Sequence, residues 1–374
     1  MTRSGPYRAD QVGSLLRPEA VKTARAAKAA GKIDAQQLKA VEDEAIREVV
    51  RRQEDVGLQA VTDGEIRREN WSLDFFSALK GVKVEEMATA PRAQGSAAPV
   101  SNVLKVAKVV GKVALGDHPM IQHFAFLKAN TKVTAKITVP APTMIVSASR
   151  DWRQIIDPAV YSGLDAFFED IAVVYQDLIK ALYAQGCRYL QLDDVNMSYL
   201  CDSKMRAGIA ARGDDPEKLL GSWVKVLDAV ASTRPSDMTL TTHVCRGNFR
   251  SAWFAEGGYE PVADALFNRI GYDGYFLEYD SERAGGFEPL RFLPRGDKRV
   301  VLGLMTTKTG QLEDRALIRS RVEAATEFAP LEQLCLSPQC GFASHEDGNL
   351  LSESEEWKKL QQVVDLSREI WGTA

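Results

Sequence analysis

Eight short β-rich runs, separated by longer stretches with helical periodicity, restrict the fold of this 374-residue chain more than any other feature. The stretch 164–186, for example, carries apolar residues at helical spacing and ends on Gly186, as an amphipathic helix with a glycine C-cap does. This alternation predicts an α/β fold, and its eight repeats predict a single (β/α)8 TIM barrel over residues 1–374. The predicted strands are 7–14, 58–65, 132–140, 187–194, 238–245, 274–280, 299–305 and 333–340.

Residues 81–133 break this rhythm after the second predicted strand. The segment contains the run ATAPRAQGSAAPVSN, followed by VLKVAKVVGKVAL, which alternates like one arm of a hairpin. We interpret 81–133 as an insertion that packs on or over the mouth of the barrel. Its basic residues Lys105, Lys108 and Lys112 either face an anionic ligand or form a solvated strand face, and a solvated face is the more common arrangement.

Charge and hydropathy exclude several classes of function. The net charge is −4 and like charges form no long run, which argues against a nucleic-acid partner and a polybasic membrane patch. The sequence has no apolar signal region and no run of about 18 apolar residues, so we expect a cytoplasmic protein without a membrane partner. The five cysteines are then thiols, metal ligands or core residues, and Cys187 and Cys335 fit the core because they lie in predicted strands.

The predicted strands end in ionisable residues although their interiors are apolar. In a barrel of this kind the active site lies at the C-terminal ends of the strands, where the eight βα loops meet. The sequence therefore predicts a site built from these ends. The residues concerned are Ser14, Asp63, Glu65, Asp193, Asp194, His243, Cys245, Glu278, Lys308 and Cys340.

His243 and Cys245 lie two positions apart in a predicted strand, so their side chains point to the same side and can bind one ion. Glu278 and Cys340, at two later strand ends, would complete a set of one imidazole, two thiolates and one carboxylate. Such a set favours Zn²⁺, and the hard carboxylate is the ligand that zinc would release most easily. The alternative is that the pair occurs by chance and that the cysteines are core residues.

Seven motifs follow one another in a recognisable order: DQVGSLLRP, DGEIRREN, YLQLDD, HVC, FLEYD, VLGLMTTKTG and SPQCGF. In this respect the chain resembles the C-terminal catalytic barrel of cobalamin-independent methionine synthase and its shorter single-barrel relatives. The resemblance covers nearly the whole chain apart from the insertion. It implies a zinc ion that binds a thiol substrate as its thiolate, followed by alkyl transfer to sulfur.

The resemblance also assigns roles to single residues. By motif, His243, Cys245, Glu278 and Cys340 match the metal ligands of the family. Three further positions match those that hold homocysteine, namely Ser14, Glu65 and Asp193. The carboxylate pair would bind its ammonium group, and a backbone or hydroxyl donor would bind its carboxylate. Asp63 and Asp194 each neighbour one of these positions and either join it or point into the barrel wall. The predicted substrate-binding residues are Ser14, Glu65, Asp193 and Asp63, and Asp193 is also a predicted catalytic residue.

Three departures from the family pattern concern the alkyl donor. Lys308 stands where the full-length synthases have a histidine thought to assist proton movement, and we predict Lys308 as a catalytic residue that neutralises the leaving group. Tyr199 stands where those enzymes have an acidic residue that helps to hold the pterin, and the expected tryptophan is absent from VPAPTMIVSAS. These departures argue against folate as the donor and leave the thiol half of the reaction intact.

The predicted function is that of a zinc-dependent thiol alkyltransferase that methylates homocysteine to methionine, as 5-methyltetrahydropteroyltriglutamate–homocysteine methyltransferase does. The donor is methyltetrahydrofolate, a methylated corrinoid protein or another small methyl carrier. One alternative is a transferase that joins another thiol, such as coenzyme M, to an epoxide or other alkyl electrophile. A second alternative is a non-catalytic zinc- or thiol-binding barrel.

Four features outside the predicted site have two interpretations each. Arg67, Arg68 and Arg283 either bind an acidic group or pair with acids, and we expect pairing on the surface for each. The amphipathic stretch 357–371 either packs on the barrel or forms an interface in a homo-oligomer.

Overall fold

The computed structural model describes residues 4–88 and 103–374. Its strands are β1 (Ala60–Val61), β2 (Lys80–Ala88), β3 (Val103–Ala114), β4 (Thr134–Pro140), β5 (Tyr189–Asp194), β6 (Thr239–Val244), β7 (Gly274–Glu278), β8 (Arg299–Met305) and β9 (Leu334–Pro338). The α-helices are α1 (Glu19–Ala29), α2 (Ala35–Val56), α3 (Leu73–Ser77), α4 (Pro119–Ala129), α5 (Leu164–Ala184), α6 (Asn196–Cys201), α7 (Ser203–Ala211), α8 (Pro216–Ala231), α9 (Ala263–Asn268), α10 (Arg315–Thr326) and α11 (Glu353–Trp371).

Seven parallel strands form one curled sheet in the order β1-β4-β5-β6-β7-β8-β9. In register, Asp193 of β5 lies beside His243 of β6, and His243 lies beside Phe276 of β7. All residues of β5, β6, β7 and β9 are buried, because helices cover the outside of a parallel sheet and its other face forms the core. The architecture is a mixed α/β fold with a half-barrel sheet, consistent with a TIM-barrel-like fold.

An eighth strand is not confirmed, because residues 7–14 form a single parallel bridge, between Ala9 and Leu336 of β9. The backbone N–H groups of Tyr7 and Gln11 donate to the side chain of Asp10 (3.2 and 2.8 Å) instead of to a neighbouring strand. The segment still lies between the two ends of the sheet, since Leu15 N donates to Gly64 O beyond β1. It thus occupies the place of a strand with few of the hydrogen bonds of one.

The prediction for 58–65 is too long, because β1 has only two residues. Past its end, Thr62 N donates to Gln53 Oε1 of α2 (3.0 Å), so the next position has left the β-ladder. Glu65 then adopts a left-handed backbone conformation with φ of 57°. The chain therefore turns away from the sheet before Glu65.

Strands β2 and β3 form a separate two-stranded antiparallel sheet after β1. Gly81 lies at a register shift with φ of 77°, and a Cβ there would lie 2.4 Å from Lys112 O, so only glycine fits. Buried Val109 and Val113 attach the sheet to the hydrophobic core. That 81–133 is an insertion stays a prediction, and most of its Ala-, Pro- and Ser-rich run (89–102) lies outside the described residues.

The stretch 357–371 belongs to α11, which packs on β9 and α2. Its residues Trp357, Leu360, Val363 and Val364 are buried in the main core. This contact accounts for its apolar face within one chain, and a homo-oligomer stays a prediction. No helix of the described residues is both long and apolar enough to cross a membrane.

Candidate metal and thiol site

A cavity of about 680 Å³ lies at the C-terminal ends of the strands. The ends of β5 and β6 and the loop after β9 contribute polar side chains to it. A second wall comes from β2 and β3, which contribute the side chains of Met87, Leu104, Lys105, Val106 and Ala107. One end of the cavity is therefore polar and another is mainly apolar.

Four side chains from three strands converge beside this cavity. His243, Cys245, Glu278 and Cys340 each offer one ligand atom, and these atoms all lie within 4.8 Å of one another. His243 lies in β6 and Cys245 directly follows it, Glu278 ends β7, and Cys340 comes two residues after β9. The three residues other than Glu278 line the cavity, and Glu278 is fully buried.

The donor set fits a zinc ion. The His243 Nδ1 lies 3.3 Å from Phe276 O and can donate its proton there, which leaves the lone pair of Nε2 for a metal. The buried Nε2 has no hydrogen-bond partner, which is costly in a site without a ligand for it. The two sulfur atoms lie 3.6 Å apart. One imidazole, two thiols and a carboxylate at this spacing match the tetrahedral preference of Zn²⁺.

Without a metal, the four groups share protons among themselves. The hydrogen bond from the Cys245 thiol lowers the pKa of Cys340 to about 6, although burial opposes this shift. Burial disfavours the His243 imidazolium, but Cys340, Asp193 and Glu278 outweigh it and raise the pKa of His243 to about 9. The cluster therefore tends toward a thiolate–imidazolium pair. A metal must displace that proton, so binding should weaken as the pH falls.

Both carboxylate oxygens of Glu278 accept hydrogen bonds from protein groups. Its Oε1 accepts a hydrogen bond from the backbone N–H of Arg246 (2.8 Å), and its Oε2 accepts one from Arg283 (3.0 Å). Burial raises the pKa of this carboxyl, but the charges of Lys308, Arg283 and His243 more than offset burial and lower it. Glu278 is therefore ionised, as a metal ligand must be.

A second pair of carboxylates, Glu65 and Asp193, lines the cavity. Glu65 Oε1 accepts a hydrogen bond from Thr138 Oγ1 (2.7 Å), and Asp193 Oδ1 accepts one from Gln191 Nε2 (2.7 Å). Burial, with a contribution from Glu65, raises the pKa of Asp193 to about 7. A cationic ligand group between the two carboxylates would relieve this cost.

Asp63 supports Glu65 rather than the cavity wall. Its Oδ1 accepts the backbone N–H of Glu65 (2.9 Å) and so stabilises the left-handed turn at that residue. Asp194 points into the barrel wall, where its carboxylate accepts hydrogen bonds from Thr143 Oγ1 (3.1 Å) and Met197 N (3.2 Å). Neither Asp63 nor Asp194 is among the described residues that line the cavity.

Ser14 lines the cavity beside the loop that carries Cys340. Its backbone carbonyl accepts from Phe342 N (2.9 Å), and its Oγ accepts from Ala343 N (3.3 Å). The next residue to Cys340 must be glycine, because a Cβ on Gly341 would lie 2.0 Å from Ser14 Oγ. The hydroxyl and the loop that carries Cys340 are thus packed as one unit.

The basic residues lie differently from their predicted places. Lys308 is absent from the described cavity lining, and its ammonium lies 3.4 Å from Asn248 Oδ1 and 3.5 Å from Ala252 O. The prediction that three arginines pair with acids on the surface is wrong about their location. The side chains of Arg67, Arg68 and Arg283 are buried, with exposed fractions of 7, 2 and 8%. Each pairs instead with buried or half-buried acids, which compensate the charge.

The lysines of β3 largely behave as solvated residues. Lys108 pairs with Glu85 (2.8 Å) and Lys112 pairs with Asp170 (3.0 Å). Lys105 is exposed and also lines the cavity. It is the one lysine of the three in contact with the site.

Sequence reasoning missed an aromatic wall of the cavity. Asn70 and His345 come from loops far apart in the chain and join through an antiparallel bridge, and Phe249 packs edge-on against the His345 ring at 5.1 Å. Burial lowers the pKa of His345 to about 4, so the ring is neutral at pH 7. A histidine five residues after Cys340 was a signal in the sequence, but nothing there linked it to Asn70. Trp71 and Phe254 complete this wall.

Comparisons with known proteins match nearly the whole chain. The family model "Cobalamin-independent synthase, Catalytic domain" matches residues 8–367. The chain is 43% identical over 370 residues to "Uncharacterized protein YxjH" of Bacillus subtilis, covering 99% of this chain and 96% of that one. It is 23% identical over 354 residues to a methionine synthase of Sulfurisphaera tokodaii, covering 94% of this chain and 89% of that one.

Among solved structures, the chain is similar to a putative vitamin-B12 independent methionine synthase from Listeria monocytogenes. The TM-score is 0.78 at 38% sequence identity, and the match covers 99% of this chain and 100% of the other. The similarity extends over the whole length of both proteins. It therefore includes the elements that carry the four-residue cluster.

Proposed function

The chain belongs to the family of cobalamin-independent synthase catalytic domains, and from that premise we propose that it is a zinc-dependent thiol alkyltransferase that methylates homocysteine to methionine. The observation that carries the proposal is the convergence of His243, Cys245, Glu278 and Cys340 beside the cavity at the strand ends. Zinc held by these residues would lower the pKa of an incoming thiol and keep it as a nucleophilic thiolate.

The remaining polar residues fit an amino-acid thiol. Glu65 and Asp193 present two carboxylates to the cavity and would bind the ammonium group of homocysteine. Ser14 lies on the adjoining surface and would donate its hydroxyl proton to the substrate carboxylate. This arrangement favours homocysteine over coenzyme M, which has no ammonium group to balance the two carboxylates.

We assign Lys308 a different role from neutralisation of the leaving group. Its charge acts on Glu278 and on Asp280, so it helps to keep Glu278 ionised. The space along the wall formed by β2, β3 and the aromatic residues remains for the alkyl donor.

The decisive experiment is zinc X-ray absorption on the purified protein with and without homocysteine. We expect about one zinc per chain with two sulfur neighbours, and a third sulfur after homocysteine is added. Cys340→Ser should remove one protein sulfur and weaken zinc binding at least about 10-fold. A matched control is Cys335→Ser, since Cys335 is buried in β9 outside the cluster and should leave the zinc shell unchanged.

Addition of coenzyme M in the same experiment, together with a separate assay of alkyl transfer, distinguishes the alternatives. A third sulfur with coenzyme M but not with homocysteine would favour the transferase for other thiols. Thiol binding without alkyl transfer from any donor would favour the non-catalytic barrel. A zinc shell that is identical in the wild type and Cys340→Ser would contradict the proposed site.

A further inference from the structure

Glu278 differs from His243 in how its ligand atoms are satisfied. Both of its carboxylate oxygens already accept hydrogen bonds, from Arg246 N at 2.8 Å and from Arg283 at 3.0 Å. The His243 Nε2, by contrast, is buried with no hydrogen-bond partner. Coordination to a metal should therefore stabilise Glu278 less than it stabilises His243. Glu278 should also lose less stabilisation when it dissociates from a metal.

Arg283 is itself held firmly in place. Its guanidinium donates to Asp280 Oδ1 (2.7 Å) and Ser281 Oγ (2.8 Å), and it lies 5.3 Å from the ring of Trp253. Its own backbone carbonyl accepts from Gly257 N (2.8 Å). These contacts hold the guanidinium beside Glu278 Oε2.

Protein cations compensate the charge of Glu278. Arg283 forms an ion pair with this carboxylate, and the charges of Lys308 and Arg246 also act on it. A carboxylate that leaves a metal here would therefore still be compensated. Since Glu278 lies behind the three residues that line the cavity, this compensation is on the side away from an incoming thiol.

On the basis of the proposed function, we propose that Arg283 is a positioning residue that competes with the metal for Glu278 and makes Glu278 the exchangeable ligand. It does so by offering Oε2 a fixed ionic partner outside the metal shell. A residue that only orients a metal ligand through a hydrogen bond would act in the opposite direction and strengthen metal binding. The two roles predict opposite signs for the effect of removing the guanidinium.

The test is Arg283→Met, which keeps a long side chain but removes the charge. Zinc affinity is measured by competition with a chromophoric chelator, and the zinc shell by X-ray absorption with saturating homocysteine. We expect zinc to bind at least about 10-fold more tightly, because the buried Glu278 charge then has the metal as its main partner. We also expect the third sulfur to be lost or reduced, because Glu278 no longer leaves readily.

A matched control and a conservative variant complete the design. Arg291→Met removes an exposed arginine that lies in the short 3₁₀ helix Glu288–Phe292 and pairs with Glu260, and it should change neither quantity. Arg283→Lys retains a charge with fewer donors, so its zinc affinity should lie between those of the wild type and Arg283→Met. If Arg283→Met does not fold, Arg283→Lys alone decides, with tighter zinc binding supporting the proposal and equal or weaker binding overturning it.

The failure of this inference can be told apart from failure of the proposed function. Zinc affinity that falls in Arg283→Met, or that stays unchanged with a normal third sulfur, overturns the role of Arg283 while the wild type still binds zinc and thiol. A wild-type protein that binds no zinc, or whose shell ignores every thiol, overturns the proposed function itself.

Discussion

At the scale of single residues, the hydrogen bonds of Asn70 determine the tautomer of His345. Asn70 Oδ1 accepts the backbone N–H groups of Ser72 and Leu73, both at 3.0 Å. Its Nδ2 must then be the atom that faces His345 Nδ1, at 3.2 Å, and it can only donate. His345 therefore carries its proton on Nε2, the nitrogen that is left for a ligand in the cavity.

Asn70→Asp should reverse this tautomer. The carboxylate keeps one oxygen for the two backbone donors and presents the other to Nδ1, which must then carry a proton. We expect the ¹⁵N chemical shifts of the His345 ring to change from the Nε2–H pattern to Nδ1–H or imidazolium at pH 7.

His118 is an internal control for that measurement. Its Nδ1 accepts from Met120 N (3.3 Å) and its Nε2 donates to Phe75 O (3.0 Å), so its tautomer should not change. An unchanged His345 spectrum in Asn70→Asp would contradict the assignment of the Asn70 amide.

Residue-level prediction from sequence worked where spacing along a strand carried the information. His243 and Cys245 point the same way because strand geometry requires it, and strand ends brought Glu278 and Cys340 near them. The roles of these residues stay predictions. The Asn70–His345 contact spans 275 residues between two loops, and no local pattern encodes such a pairing.

At the scale of elements, Gly221 weakens α8. It lies inside the helix with ordinary backbone geometry, and a Cβ there would meet no atom within 4 Å. Gly221→Ala should therefore raise the free energy of unfolding by about 0.5–1 kcal/mol, because alanine loses less backbone entropy in a helix. Urea denaturation with and without the substitution measures the difference.

Gly341→Ala is the opposite case and serves as the comparison. Its Cβ would collide with Ser14 Oγ, so no gain in stability is expected. If Gly221→Ala also fails to stabilise, the space around that helix position is not open in solution.

Element prediction succeeded for strands whose residues are buried on both faces. The predicted runs 187–194 and 299–305 correspond to β5 and β8, whose apolar character comes from burial in the sheet. It failed for 7–14, since an apolar and polar alternation does not reveal whether the backbone donates to a neighbouring strand or to Asp10.

At the scale of the whole molecule, Glu356 makes stability depend on pH. This residue of α11 is buried, and its Oε1 accepts the backbone N–H of Leu16 (2.9 Å). Burial raises its pKa to about 8, so the folded chain keeps a proton that the unfolded chain releases above its ordinary pKa near 4.5. The contribution of Glu356 to the free energy of unfolding must therefore fall as the pH rises from about 4.5 to about 8.

Glu356→Gln should remove this dependence, because the amide is neutral and keeps the oxygen that accepts from Leu16. We expect the variant to be more stable than the wild type at pH 8 and to differ less at pH 5, as measured by urea denaturation at both values. Glu323→Gln, on the exposed face of α10, is the control. Parallel pH curves for Glu356→Gln and the wild type would contradict the assigned protonation.

The way residues 7–14 lie against β9 has a consequence for biosynthesis. Arg8 donates to Leu334 O across 326 residues of sequence. At typical translation rates, a ribosome needs roughly 15 to 65 s to make that much chain. During this interval the nascent half-barrel has a free edge and an uncovered interior, so it is open to chaperones and to wrong strand partners. The cavity at the strand ends, which is lined in part by the loop after β9, is consequently among the last features that a newly made copy can acquire.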